Sequence, residues 1–248
     1  MKKIFILTFF IFSKFILSQN KTIVPITGTI VFVKEENIFD KDLYIKSLKE
    51  LMPQMKAKMK EEIFIERLTD GKKTDTISLN SEVEKMAQNF EMMLPYIIEE
   101  PSQKIRFHHE FNQDTIKMYY SIDGKINNLV FININTLEVK NEYNEYVEFD
   151  KNEIIKLTEY KNETKLINGF ECFKVIYSFK TLGNGFNFTK LSLNNRELWV
   201  TEEIRCNYHP FINEIEILEK YYPLEVSEYS NEIKGAQTTY KIETLKLK

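Results

Sequence analysis

The sequence predicts an α+β fold: a large curved antiparallel sheet, a half-open barrel, with helices packed on its concave face. Three observations carry this. From Lys104 onward, short runs rich in Ile, Val, Tyr and Phe alternate with turn residues, giving about ten candidate strands in the last 145 residues. Before them, two segments space apolar residues three or four apart, as amphipathic helices do. With 43% hydrophobic residues, the 248-residue chain can fill one sizeable core, and no low-complexity linker or fixed repeat divides it. A large antiparallel sheet needs apolar cover on one face, and the two helical stripes are the available cover.

Taken in order, the chain opens with Lys2 and Lys3, the apolar run Ile4 to Phe12, and then Phe15-Ile16-Leu17-Ser18. A basic start, an apolar run and a small residue read as a secretory signal peptide, cut after Ser18. An uncleaved anchor is the alternative, but positions 4 to 18 include Lys14 and fall short of the roughly 20 apolar residues of a spanning helix. No cysteine follows the run to take a lipid. Residues 19 to 248 are therefore expected to form one exported domain, periplasmic or secreted, soluble after cleavage and without a transmembrane span. Cleavage removes three lysines and no acid, leaving 31 basic against 37 acidic side chains. No basic excess remains to hold a phosphate backbone, so no nucleic-acid partner is expected.

Lys21 to Lys34 reads as a first strand, with Thr29, Val31 and Val33 alternating against Ile30 and Phe32; Pro25 and Gly28 weaken its start. Asp40 to Arg67 carries Leu48, Met52, Met55, Met59 and Ile63 along one helical face, and Pro53 predicts a kink or a break near Met52. Thr69 to Thr76, with Asp70-Gly71, reads as a loop. A second helix, capped by Asn80 or Ser81, aligns Val83, Met86, Phe90, Met93 and Ile97 until Pro95 and Pro101 stop the pattern. In the strand-rich remainder, tight connections at Asn112-Gln113-Asp114 and Asp123-Gly124 predict antiparallel neighbours. On the run holding Phe173, Val175 and Tyr177, those three share one face and Cys172 and Lys174 the other.

The only cysteines are Cys172 and Cys206. An even count in an exported chain predicts a disulfide, closing a loop of about 35 residues for roughly 3–4 kcal/mol in the chain-entropy model; two separate buried thiols are the alternative. Other constellations are weaker. His108, His109 and Glu110 are adjacent on a strand, where successive side chains point to opposite faces, and His209 is the only other imidazole, so no metal site is expected. There is no G-x-S-x-G elbow, and a Cys–His nucleophile would need a free thiol. Gly183-Asn184-Gly185 opens no helix, as a phosphate cradle requires. Asp75-Thr76-Ile77 and Asp114-Thr115-Ile116 have the form of a short O-glycan acceptor at Thr76 and Thr115, or are ordinary polar-to-apolar transitions.

The run ETKLINGFECFKV from Glu163, then RELWVTEEI, His209-Pro210-Phe211 and YYPLEVSEY from Tyr221, resembles exported LolA-like proteins that include the GLPGLI group. Lys165, Ile167, Gly169, Phe170, Cys172 and Lys174 match the first element of that group's pattern, and Trp199, Val200 and Thr201 the second. The signature that names the group is absent, with NEIEILEKYYPLEV in its place. The resemblance implies a curved sheet with a helical plug and an apolar cavity, and no assigned reaction.

The methionines are the most suggestive feature: six of eight fall in the two helical segments, where flexible thioethers suit an adaptable apolar groove or ordinary core packing. Candidate cavity residues are therefore Met52, Met55, Met59, Phe90 and Met93 on the helices and Phe173, Tyr177 and Trp199 on the strands. The expected function is an exported, non-enzymatic binding protein for a hydrophobic ligand such as a lipid or lipopeptide, with no cofactor and no catalytic residues. The alternatives are an interaction module of the cell envelope with a filled core, bound to an envelope protein, and a hydrolase using dispersed carboxylates.

Overall fold

The computed structural model describes residues 22–71, 75–99, 103–147, 151–182 and 194–248; the segment expected to be a signal peptide and Gly183-Asn184-Gly185 lie outside them. The strand runs become β1 (Thr27–Ile38), β2 (Ile105–Asn112), β3 (Thr115–Ile122), β4 (Lys125–Asn133), β5 (Val139–Asn141), β6 (Lys151–Ile167), β7 (Phe170–Leu182), β8 (Asn194–Thr201), β9 (Tyr222–Ser230) and β10 (Ala236–Leu247). They form one open antiparallel sheet in the order β5-β4-β3-β2-β1-β10-β9-β8-β7-β6. β1 lies in the middle and pairs with both β2 and β10. Hairpins at Asp123-Gly124 and Asn168-Gly169 place both central residues at positive φ, the twist-compatible geometry that Asp-Gly and Asn-Gly favour.

One face of the sheet carries the core. Ile30 and Phe32 of β1, Phe111 of β2, Ile116 of β3 and Ile132 of β4 fill one half; Val175, Tyr177 and Phe179 of β7, with Leu198 and Val226, fill the other. The residues between β8 and β9 cover this inner face. They include a single-turn helix, α3 (Ile215–Leu218), and bury Ile204, Ile212, Ile217, Leu218 and Tyr221. Phe211 stacks on Tyr240 with ring centroids 3.9 Å apart and meets Phe107 edge-on at 4.7 Å.

The early helices do not cover the sheet, contrary to the expectation from their stripes. α1 (Lys41–Thr69) and α2 (Thr76–Glu99) pack chiefly on each other. Met52, Met55 and Met59 bury in this pair with Leu79, Val83, Ala87 and Leu94 of α2, and none of them belongs to the two core clusters of the sheet. Two antiparallel helices can satisfy each other's stripes, and the inner face is already occupied by a segment that leaves and re-enters it locally. The pair is rooted at one end. The Asp40 carboxylate caps α1 by accepting from the Leu43 N–H at 2.9 Å, and the Phe39 and Asp40 N–H groups donate to the Gly235 carbonyl at 2.9 and 3.1 Å. Gly235 has φ +83°, and a Cβ there would sit 2.3 Å from the Asp40 carbonyl oxygen.

Three local expectations are also corrected. Of the kink or break expected near Met52, the break does not occur, α1 being one helix through Pro53, and α2 runs on through Pro95 to Glu99. α2 starts before Asn80, capped by Asp75, whose carboxylate accepts from the Ile77 and Ser78 N–H groups at 3.2 and 3.1 Å. The face aligned with Met86 and Met93 is solvent-facing, the two methionines being 42% and 56% exposed, because α2 turns the Leu79–Val83–Ala87 stripe to α1 instead.

Candidate functional site

Among the described residues the inner face has a sizeable hollow at its β2–β4 end, next to the covering segment. It lies beside a bulge. Tyr120 pairs with Asn127 and Met118 with Val130, so Asn128 and Leu129 together face Tyr119 alone, and Asn128 takes φ +48° to accommodate the extra residue. Beside the bulge is a cavity of about 470 Å³, in the usual range for small-molecule sites. Phe107, Met118, Tyr120 and Val130 supply its apolar wall; Asn128, Asn141, Glu142 and Tyr143 border it, and Val147 and Pro210 close its sides.

His108 and Tyr119 edge the cavity from the outer side of β2 and β3. Their rings stack at 4.4 Å, and Tyr119 donates to the Glu110 carboxylate at 2.6 Å. Burial lowers the His108 pKa, so the ring is neutral at pH 7; burial and the Glu110 carboxylate push Tyr119 up to about 12. As the pleat requires, His109 faces inward, and its pKa falls to about 3 because burial removes it from water and neither ring nitrogen has a hydrogen-bond partner. His209 is equally buried but anchored: the Phe211 N–H donates to Nδ1 at 3.2 Å and Nε2 faces the Pro223 carbonyl at 3.2 Å. That arrangement defines a neutral tautomer, with Nε2 as the donor, and burial beside His109 lowers its pKa further.

A second polar cluster ties the covering segment to the sheet. Arg196 of β8 reaches Glu228 at 2.8 Å, the Tyr177 hydroxyl at 2.9 Å and Glu214 at 3.3 Å, with its guanidinium over the Phe179 ring at 4.3 Å. Glu214 also accepts from the Asn152 amide at 2.8 Å and the Asn213 N–H at 3.0 Å. Burial alone would favour neutral Arg196, but Tyr177, Glu228 and Glu214 hold its pKa above the ordinary value. Arg196, Glu214, Glu228 and the Tyr177 hydroxyl pair with one another, so the cluster is a tether.

The residues singled out from the sequence fall in three places and do not line one cavity. Met52, Met55 and Met59 lie inside the helical pair, with Phe90 half-buried and Met93 exposed on α2. Phe173 and Tyr177 belong to one core cluster, whereas Trp199 is half-buried against the other, with the Lys165 ammonium 4.2 Å from its ring. Cys172 and Cys206 are free thiols, so the bridge that their even count predicts is not formed here. Each thiol is turned toward a backbone carbonyl, Phe170 at 3.6 Å and Tyr208 at 3.3 Å, and burial pushes them up to about 12 and 11. Thr76 is exposed at the start of α2, and Thr115 is half-buried at the start of β3. Among the described residues no group of three His, Cys, Asp or Glu is placed to hold a metal ion, and no helix is long and apolar enough to cross a membrane. The cavity residues Met118, Tyr120 and Val130 were missed by pattern reading; the signal that marks them is Asn127-Asn128 inside a strand run. Comparison with family models, curated proteins and solved structures finds no match for the chain.

Proposed function

We propose that this chain is an exported, non-enzymatic binding protein that holds an apolar ligand in the cavity beside the β3–β4 bulge. The observation that carries the reading is the cavity itself: about 470 Å³, walled by Phe107, Met118, Tyr120 and Val130. An open antiparallel sheet with one covered face supports the LolA-like resemblance, with the plug supplied by residues 202–221 rather than by the methionine helices. Export follows from the N-terminal sequence. The test is uptake of the neutral fluorophore N-phenyl-1-naphthylamine by delipidated protein: saturable uptake, abolished by Val130→Trp at unchanged fold, is the expected result. No saturable uptake by the folded wild type refutes the reading.

A second reading, an interaction module of the cell envelope, is favoured by a different observation. Phe64, Ile65 and Leu68 of α1 and Met86, Met92 and Met93 of α2 are all more than 40% exposed. A crosslinked partner lost on substituting these residues, with no probe uptake, would favour it.

A further inference from the structure

Resting on the reading that the cavity takes an apolar ligand, we propose that the ligand is a cationic amphiphile, an apolar chain ending in a protonated amine rather than in a carboxylate or phosphate. Charge and aromatic placement carry this. Among the described residues Glu142 is the one acidic side chain bordering the cavity, and no Lys or Arg lines it. The lysines close in sequence have acidic partners: Lys140 sits 3.5 Å from Glu138 and over the Tyr146 ring at 4.8 Å, and Lys117, over the outer-side Tyr119 ring at 4.8 Å, sits 3.4 Å from the Glu110 carboxylate that offsets its charge. His108, held neutral by burial, adds no positive charge.

The same border carries aromatic faces. Phe107 and Tyr120 line the wall, and Tyr143, 76% exposed, stands at the mouth beside Glu142. Ring faces and a carboxylate both attract an ammonium group, and Tyr143 and Glu142 lie together on the border of the cavity. A carboxylate or phosphate head would meet Glu142 with no counter-charge and would lose hydration without compensation. The apolar wall takes the chain, and the mouth selects the head.

The experiment is displacement of bound N-phenyl-1-naphthylamine from the full mature chain by dodecylamine, dodecanol and dodecanoate at pH 7, each below its micelle concentration. Dodecylamine is expected to displace the probe at a concentration at least about tenfold below that of dodecanoate, with the gap narrowing in high salt. Glu142→Gln is expected to shrink the gap and leave dodecanol unchanged. Dodecanoate that competes as well as dodecylamine, or a gap unaltered in Glu142→Gln, overturns the proposal and leaves the apolar-ligand reading standing. A probe that does not bind at all overturns both.

Discussion

Replacing Arg196 by Met removes the cation that holds the covering segment on the sheet. Arg196 and Glu214 are 9% and 5% exposed, so the substitution strands a carboxylate that water does not reach. Breaking a buried pair by removing one partner costs about 3–5 kcal/mol. Glu214 keeps two donors, the Asn152 amide and the Asn213 N–H, and Glu228 is exposed enough to hydrate, which places the expected loss near the lower end, about 3 kcal/mol. The double variant Arg196→Met, Glu214→Gln leaves a neutral acceptor in the same place and is expected to regain most of that loss. Urea unfolding followed by tyrosine fluorescence and far-UV circular dichroism measures both. A single variant within about 1 kcal/mol of wild type, the range of an exposed pair, would refute the assignment of this cluster as a buried tether.

Three further outcomes follow from the packing. His109 and His209 have folded-state pKa values below the ordinary 6.5, His109 at about 3, so the unfolded chain binds protons first; stability is full above about pH 6.5 and falls as pH drops toward 3, by about 1.4 kcal/mol per pH unit per histidine. His109→Met should remove one histidine's share of that slope in urea midpoints, and equal slopes would contradict the burial of a neutral ring. In reduced native protein at pH 8, Cys172 and Cys206 should react slowly with a thiol reagent and both react fully in denaturant; rapid native labelling would contradict their raised pKa values. Met55→Ala should cost about 2–5 kcal/mol, lost as hydrogen-exchange protection in the helical pair, and leave probe affinity in the sheet cavity unchanged.

Much of the sheet is legible in the sequence because a strand's two faces are written in alternate residues. Phe173, Val175 and Tyr177 state their common face directly, and the Asp123-Gly124 turn states that β3 and β4 are antiparallel neighbours. The runs EIIKLTEY and ETKLI lie on one long β6, where a register shift against β7 between Tyr160 and Thr164 accommodates the residues between them. The helices illustrate a different limit. Periodicity says that Met52, Met55 and Met59 bury a face, but not whether the partner is a sheet or another helix, and α2 offers a matching stripe nearby in sequence. Pro53 is tolerated because it is exposed while Met52 and Met55 on either side stay buried in the helical pair.

The candidate site was less legible. A cavity is what packing leaves over, and no local pattern encodes it. Met118 stands alone on β3, without the repetition that drew notice to the helical methionines, and Pro210 comes from a segment some eighty residues further along the chain. Asn127-Asn128 is a local trace of the site, since two such residues inside an apolar strand run mark the bulge beside which the hollow lies.

The most direct measurement is a methyl carbon–proton correlation spectrum of protein labelled at the methionine methyls, recorded as dodecylamine is added. A ligand seated beside the β3–β4 bulge shifts the Met118 methyl and leaves Met52, Met55 and Met59 where they were. Movement of the three helical methyls with a silent Met118 would instead put the ligand in the helical pair and contradict binding on the sheet.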